Sequence, residues 1–266
     1  MAIASFKLVV ASGVLAGVCS SAQAQGFDAV RLQGDAGSEG EGRAGVALIA
    51  GHKYLGSDER RYLLLPTIDY RWKNGWFAGM GNGVGYRFAS NPQLQYGVRL
   101  AADFGRKEHR SDVLRGLGDI PARPEAGAFF NMHLSRELSL SSSLRFGAGQ
   151  DRKGLLLDLG AHYGLQIAPQ WRLGGSVSAT YVNRDYMQDY FGVTPQQSAR
   201  SGYAVYEPGA GVRDVRLGAS LTHFFNRDWA LTAALSATSL QGDAKRSVIV
   251  RESTPVTGVL ALGYRF

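Results

Sequence analysis

Apolar and polar residues alternate along most of the chain. In the last segment Val256, Gly258, Leu260, Leu262, Tyr264 and Phe266 share one face, and Thr257, Ala261, Gly263 and Arg265 share the other. Trp229, Leu231, Ala233 and Leu235 alternate with Thr232, Ala234 and Ser236 in the same way. So do Leu155, Leu157, Leu159, Ala161, Tyr163 and Leu165 with Asp158, Gly160, His162 and Gln166. A period of two means a β-strand with one apolar face. Eleven such segments stand out: 44–54, 61–72, 76–88, 94–104, 124–135, 138–149, 154–167, 171–183, 212–225, 229–240 and 255–266.

Their length decides between two all-β architectures. Strands of a soluble sandwich average ~5–6 residues, whereas a tilted strand needs ~9–11 to cross a bilayer. The segments have the longer length. Their polar face is rich in Gly, Ser, Thr and Ala. It also carries charges of both signs: Asp69, Arg71, Arg99, Asp103, Glu125, His133, Arg145, Asp158 and His162, with Arg172, Arg216 and Arg265. Small residues and pairable charges suit a narrow barrel interior, so the pattern predicts apolar side chains outward and polar ones in the lumen. The fold class is therefore all-β, a transmembrane antiparallel β-barrel, because only closure satisfies strand backbone groups in lipid. Eleven strands conflict with the even numbers of bacterial barrels. Either Asn82-Gly83 forms a type I′ hairpin that splits 76–88, or Phe27–Gln33 adds a strand. Both give twelve, with ten as the next count.

Connections confirm the orientation. Arg136-Glu137, Ala168-Pro169-Gln170 and Asn226-Arg227-Asp228 are short, and Trp171 and Trp229 follow two of them as a membrane-interface girdle. Long polar loops, about 105–123, 184–211 and 241–253, lie at the other end. Short turns face the periplasm in outer-membrane barrels, so both termini lie there. Tyr264 and Phe266 then form a terminal aromatic signal of the type read by the barrel assembly machinery.

The rest of the composition fits an exported protein. Lys7, the apolar run Leu8–Val18 and Ala22-Gln23-Ala24 make a secretory signal over 1–24. A flexible stretch, 25–43, leads into a barrel over 44–266. The run Leu8–Val18 is too short for a membrane helix, which needs ~20 residues. The one cysteine, Cys19, lies in the signal, so the exported part has no disulfide. The formal charge is +7. Loop cations Arg106, Lys107, Arg110, Arg115, Arg152, Lys153, Arg184, Lys245 and Arg246 suit outer-membrane lipid and lipopolysaccharide, and export excludes nucleic acid as a partner.

Several local signatures resemble the MipA/OmpV family of outer-membrane proteins. They are Tyr54-Leu55-Gly56-Ser57-Asp58, Gly116-Leu117-Gly118-Asp119-Ile120, Tyr190-Phe191-Gly192-Val193-Thr194, Ser198-Ala199-Arg200-Ser201-Gly202-Tyr203, and the ending Gly263-Tyr264-Arg265-Phe266. The chain departs at Arg246–Val250, which lacks the Ser-Pro pair common before the last strand. The resemblance implies a non-enzymatic scaffold in the outer membrane of a Gram-negative bacterium, with a lytic transglycosylase and a murein synthase as partners. It also admits two other roles: a narrow porin-like channel for small solutes or antibiotics, and a surface adhesin. Tyr190, Phe191, Gly192, Val193 and Tyr203 are the candidate partner contacts, since loop aromatics anchor interfaces; the alternative is a latch over the barrel mouth.

Chemistry beyond binding has little support. His109-Arg110-Ser111-Asp112 places a base, a hydroxyl and a carboxylate on one loop, but neighbouring loop residues rarely converge on one proton. Histidines 52, 109, 133, 162 and 223 lack metal-site spacing. Pairing with Asp158 or Glu125 is the ordinary expectation for His133 and His162. The glycines at 79, 81, 83 and 85 lie on a strand with no following helix, so they are not a phosphate loop. No catalytic set, cofactor or metal is expected.

Overall fold

The structure, a computed structural model, describes residues 40–88 and 93–266. The expected signal over 1–24 and the alternative strand Phe27–Gln33 lie outside the described residues. Among those described, twelve antiparallel strands close into a barrel. They are β1 (Gly42–His52), β2 (Arg60–Arg71), β3 (Trp76–Gly79), β4 (Gly83–Arg87), β5 (Leu94–Asp103), β6 (Arg123–His133), β7 (Leu138–Ala148), β8 (Gly154–Ala168), β9 (Trp171–Val182), β10 (Gly211–Phe224), β11 (Trp229–Leu240) and β12 (Val256–Arg265). Each pairs with its sequence neighbours. β1 meets β12 in the register Arg43↔Arg265 to Ala50↔Gly258. The seam is fastened at its base by Gly42 N–H to Phe266 O, 2.9 Å, and Phe266 N–H to Gly42 O, 3.0 Å. The first strand thus starts two residues before the expected boundary.

The twelfth strand comes from the split of 76–88. Its turn is not the type I′ hairpin expected. Gly79 pairs with Gly83 across Met80-Gly81-Asn82, and Asn82 does not take the positive φ that type I′ demands. Only Gly83 is left-handed, at φ +74. A Cβ there would lie 2.1 Å from Leu100 O, so no other residue fits.

Alternation sets the two faces. Leu235, Leu217, Leu260 and Leu173 are exposed on the outside, where burial is against lipid. Opposite-parity positions such as Glu125, Asp214, Thr232 and Thr257 are buried inside. No helix of the described residues is long and apolar enough to cross a membrane; strands do the crossing. At the short-turn end aromatics pair edge or face: Trp229 with Tyr264 at 5.0 Å, Trp76 with Tyr86 at 5.5 Å, and Tyr70 with Phe266 at 6.3 Å. Amphipathic rings of this kind favour the membrane–water boundary.

The long loops differ from irregular polar coil. They carry two 3-10 turns, Glu108–Arg110 and Asp112–Leu114, and three helices, α1 (Arg184–Phe191), α2 (Pro195–Ser201) and α3 (Gly242–Arg246). These bury two apolar clusters at the loop end of the barrel.

Candidate functional site: a capped mouth above a charged lumen

The cap is built around α1. Asn183 follows β9, and its side chain accepts a hydrogen bond from Tyr186 N–H at 3.1 Å, the expected N-cap geometry. Tyr186, Met187 and Phe191 then face inward and pack on Ala148, Leu156, Val182, Leu240 and Ala244. The next helix follows at once. Thr194 and Gln197 form a capping box and Pro195 opens α2. Gly202 closes it at φ +78.

Polar contacts tie this segment to two other loops. The Gln197 amide donates to Leu117 O at 2.7 Å, and the Tyr203 hydroxyl to Val113 O at 3.1 Å. Ser198 Oγ donates to Tyr203 O at 2.6 Å, and Ser247 Oγ to Phe191 O at 2.5 Å. Val193 is buried with Tyr54, Leu114, Leu117 and Ile249, and the Tyr54 hydroxyl donates to Ile249 O at 2.8 Å. Burial pushes the Tyr54 and Tyr186 hydroxyls up to about 12, and pushes Tyr190 well above its ordinary value.

The β5–β6 loop is shaped by two carboxylates. Glu108 accepts from Gly116 N–H at 2.6 Å and Gly118 N–H at 3.0 Å. Both glycines are left-handed, so their N–H groups converge as an anion nest. Asp119 accepts from Glu108 N–H at 2.8 Å and Lys107 Nζ at 3.0 Å, and these bonds hold its carboxyl below the usual range.

Beneath the cap the lumen is crossed by ion pairs. Arg145 spans two carboxylates, with Nη1 2.9 Å from Glu125 Oε2 and Nη2 2.9 Å from Asp158 Oδ2. Thr180 donates to Asp158 Oδ1 at 3.0 Å. A second cluster follows a bulge in β10, where the register slips between Val212 and Asp214. The slip turns Arg213 and Asp214 inward together, with Arg213 Nε 2.6 Å from Asp214 Oδ2. Arg213 Nη1 also donates to the Tyr186 hydroxyl at 2.7 Å, which links lumen to cap.

The remaining expected lumen residues are spread over both ends. Arg99 Nη2 donates to Ser143 Oγ at 2.5 Å. His162 Nε2 lies 2.9 Å from Ser141 Oγ. Asp69 and Arg71 are on β2 near the short turns, Asp69 opposite Arg43. His133 ends β6 opposite Ser139. Asp103 is at the rim, where it accepts from Tyr190, Gly105 and Gly149.

A family model described as "MltA-interacting protein MipA" matches residues 44–266. The chain belongs to the MipA family. It is 25% identical over 231 residues to the MltA-interacting proteins of Escherichia coli K12 and Shigella flexneri, covering 84% of this chain and 88% of each relative. Among solved structures, the translocator domain of the autotransporter NalP from Neisseria meningitidis aligns with a TM-score of 0.52 at 13% identity. It covers 92% of this chain and 95% of that one, a likeness of fold alone.

The MipA-type signature residues hold the cap. Tyr190, Phe191 and Val193 direct their side chains into the chain's own contacts, and a Cβ on Gly192 would strike Gln188. Tyr203 is half-buried against the same cluster. These residues are thus held in contacts within the chain at the loop end of the barrel. The loop triad does not assemble: Ser111 donates to Glu59, and Asp112 pairs with Arg115. One cation expected on the surface is inside. Arg106 is buried, and its Nη1 donates to Tyr190 O at 2.7 Å. Sequence reading also missed the inward pair Arg213–Asp214. Its signal was a break in alternation at Val212-Arg213-Asp214, which period-two matching passes over.

Proposed function

We propose that this chain is an outer-membrane scaffold whose short-turn face docks a murein-cleaving lytic transglycosylase, with a murein synthase in the same assembly. The match to the MltA-interacting family over the whole barrel carries this reading. The interior agrees with it. A mouth covered by α1 and α2, and a lumen crossed by Arg145 and Arg213, suit a rigid platform better than a conduit. The loop end faces outward, so the murein side is the end with Lys73, Arg136 and the Asn226-Arg227-Asp228 turn, all exposed. Those turns are short, and their cations favour a partner with an acidic patch, since charge complementarity steers encounter.

The test is cross-linked affinity capture from intact envelopes. Recovery of the transglycosylase, reduced by Arg136→Glu with Arg227→Glu, supports the scaffold. Failure to recover any murein enzyme, together with clear single-channel currents from the pure protein, overturns it in favour of a channel.

A further inference from the structure

The barrel is closed, but its ladder is short on one side. β2 pairs with β1 along its whole length. On its other edge it meets β3 only at Asp69, Tyr70 and Arg71, with Met80 N–H to Ile68 O, 3.0 Å, above them. β5 meets β4 only from Gly97 to Leu100. The β3–β4 hairpin between them has strands of four and five residues, far below the ~9–11 that cross a bilayer. Above its tip the β2 edge from Tyr62 to Thr67 has no ladder partner among the described residues. A notch remains between β2 and β5 in the loop-side half of the wall.

Four features characterise the notch. It lies at lipid depth, since Tyr62 and Leu64 on its flank are the most exposed large apolar side chains of the described residues, at 72% and 69%. Pro66 sits on this edge, where a missing N–H costs no ladder bond. Behind the edge, Leu63 and Leu65 turn inward and pack on Ala47, Ile49 and Val259, an apolar patch on the lumen face. At its head stand two cations. The bond from Ser111 to Glu59 brings the 3-10 turn of Arg110 over the start of β2. Arg110 Nη1 is buried there without a hydrogen-bond partner among the described residues. Burial, then the Arg61 charge, lowers the Arg110 pKa, with Asp119 offsetting in part.

An open sheet edge facing hydrocarbon is costly, because its N–H and C=O groups find no partner in lipid tails. The occupant must therefore offer polar linkages to the edge, an anion to Arg110 and an apolar chain to Leu63 and Leu65. A phosphate-bearing acylated lipid has all three. We propose that the notch is a lateral binding site for such a lipid of the outer leaflet, its phosphate at Arg61 and Arg110 and an acyl chain passing through the wall onto Leu63 and Leu65.

The test uses the full chain in phosphatidylcholine vesicles containing phosphatidylglycerol with a photoreactive diazirine on its acyl chain. After irradiation, adducts are mapped by mass spectrometry. We expect adducts on inward-facing Leu63 or Leu65 in addition to outward-facing side chains. Replacing Arg61 and Arg110 by Gln lowers the inward adducts at least about tenfold, since each charge-assisted bond contributes that much, and leaves adducts on outward-facing Leu159 of β8, across the barrel, unchanged. Excess inorganic phosphate leaves the inward adducts in place; displacement by it means an anion pocket only and overturns the lipid site. Adducts confined to outward residues in the unaltered protein also overturn it. If the double variant fails to fold, Leu65→Trp fills the notch with both cations intact. It must abolish adducts on Leu63, and their persistence counts against the proposal. Capture of murein enzymes is unaffected either way.

Discussion

The Tyr190 hydroxyl lies 2.6 Å from both carboxylate oxygens of Asp103. Asp103 is the last residue of β5 and Tyr190 lies in α1, 87 positions later. The same carboxylate accepts from Gly149 N–H at 3.0 Å. One barrel-rim residue thus anchors the cap to two loops.

Tyr190→Phe removes this anchor without changing ring volume. Asp103 keeps its backbone donors, so the expected loss is about 1–3 kcal/mol, that of a hydrogen bond to a charged group. The cap loosens and the barrel survives. Limited proteolysis should cut near 184–205 faster, while the heat-modified band on electrophoresis keeps its position. Unchanged loop protection would sink the anchoring role.

The cap is alkali-sensitive. Tyr54 and Tyr186 titrate at about 12 when folded and at 10.0 when free. A folded pKa raised above the unfolded one means stability is full below pH 10 and is lost as pH rises through 12. Below 10 both states are protonated and nothing changes. Ultraviolet titration of tyrosinate should show these tyrosines ionising late and together, with loop protection lost over the same window. Ionisation of every tyrosine near pH 10 would contradict burial of the cap.

The lumen triad behaves differently from the cap. Arg145→Ala leaves Glu125, 1% exposed, and Asp158 facing each other without their shared cation. Breaking a buried pair in this way costs about 3–5 kcal/mol. Replacing all three by apolar residues of similar volume should cost far less. Thermal midpoints in detergent for the single and triple variants provide the comparison. A single variant as stable as the parent would mean that water already screens the triad.

How much of this was legible in the residues follows from their periodicity. Strands such as β9 and β11 announce themselves because lipid outside and charge inside impose opposite chemistry on alternate positions. Arg145, Asp158 and Glu125 were readable for the same reason, although their pairing was not: register decides which charges meet. Gly83 was recognised as a turn residue, but its backbone angles depend on Leu100 across the sheet. The cap was hidden. Helix α1 has only eight residues, too few for a helical period to show. Its signals were local ones, Asn183 before it and Thr194-Pro195-Gln196-Gln197 after it. Val193 between the two helices is buried by Leu117 and Ile249, which arrive from distant loops.

Phe266 joins the seam and the aromatic girdle, and this makes its removal informative. Its backbone pairs with Gly42, and its ring stacks near Tyr70 at 6.3 Å and Tyr264 at 6.4 Å. In Phe266→Ala the two backbone bonds remain available, so the finished barrel should lose only the ring contacts, about 0.5–1.5 kcal/mol each. If the ring is also the mark read by the assembly machinery, insertion in cells falls much more than that loss explains. Two measurements separate the effects: the thermal midpoint of refolded protein, and the fraction of newly made chain that becomes heat-modifiable in cells. We expect a small shift in the first and a severalfold drop in the second. Parallel small losses in both would reduce Phe266 to a packing residue at the seam.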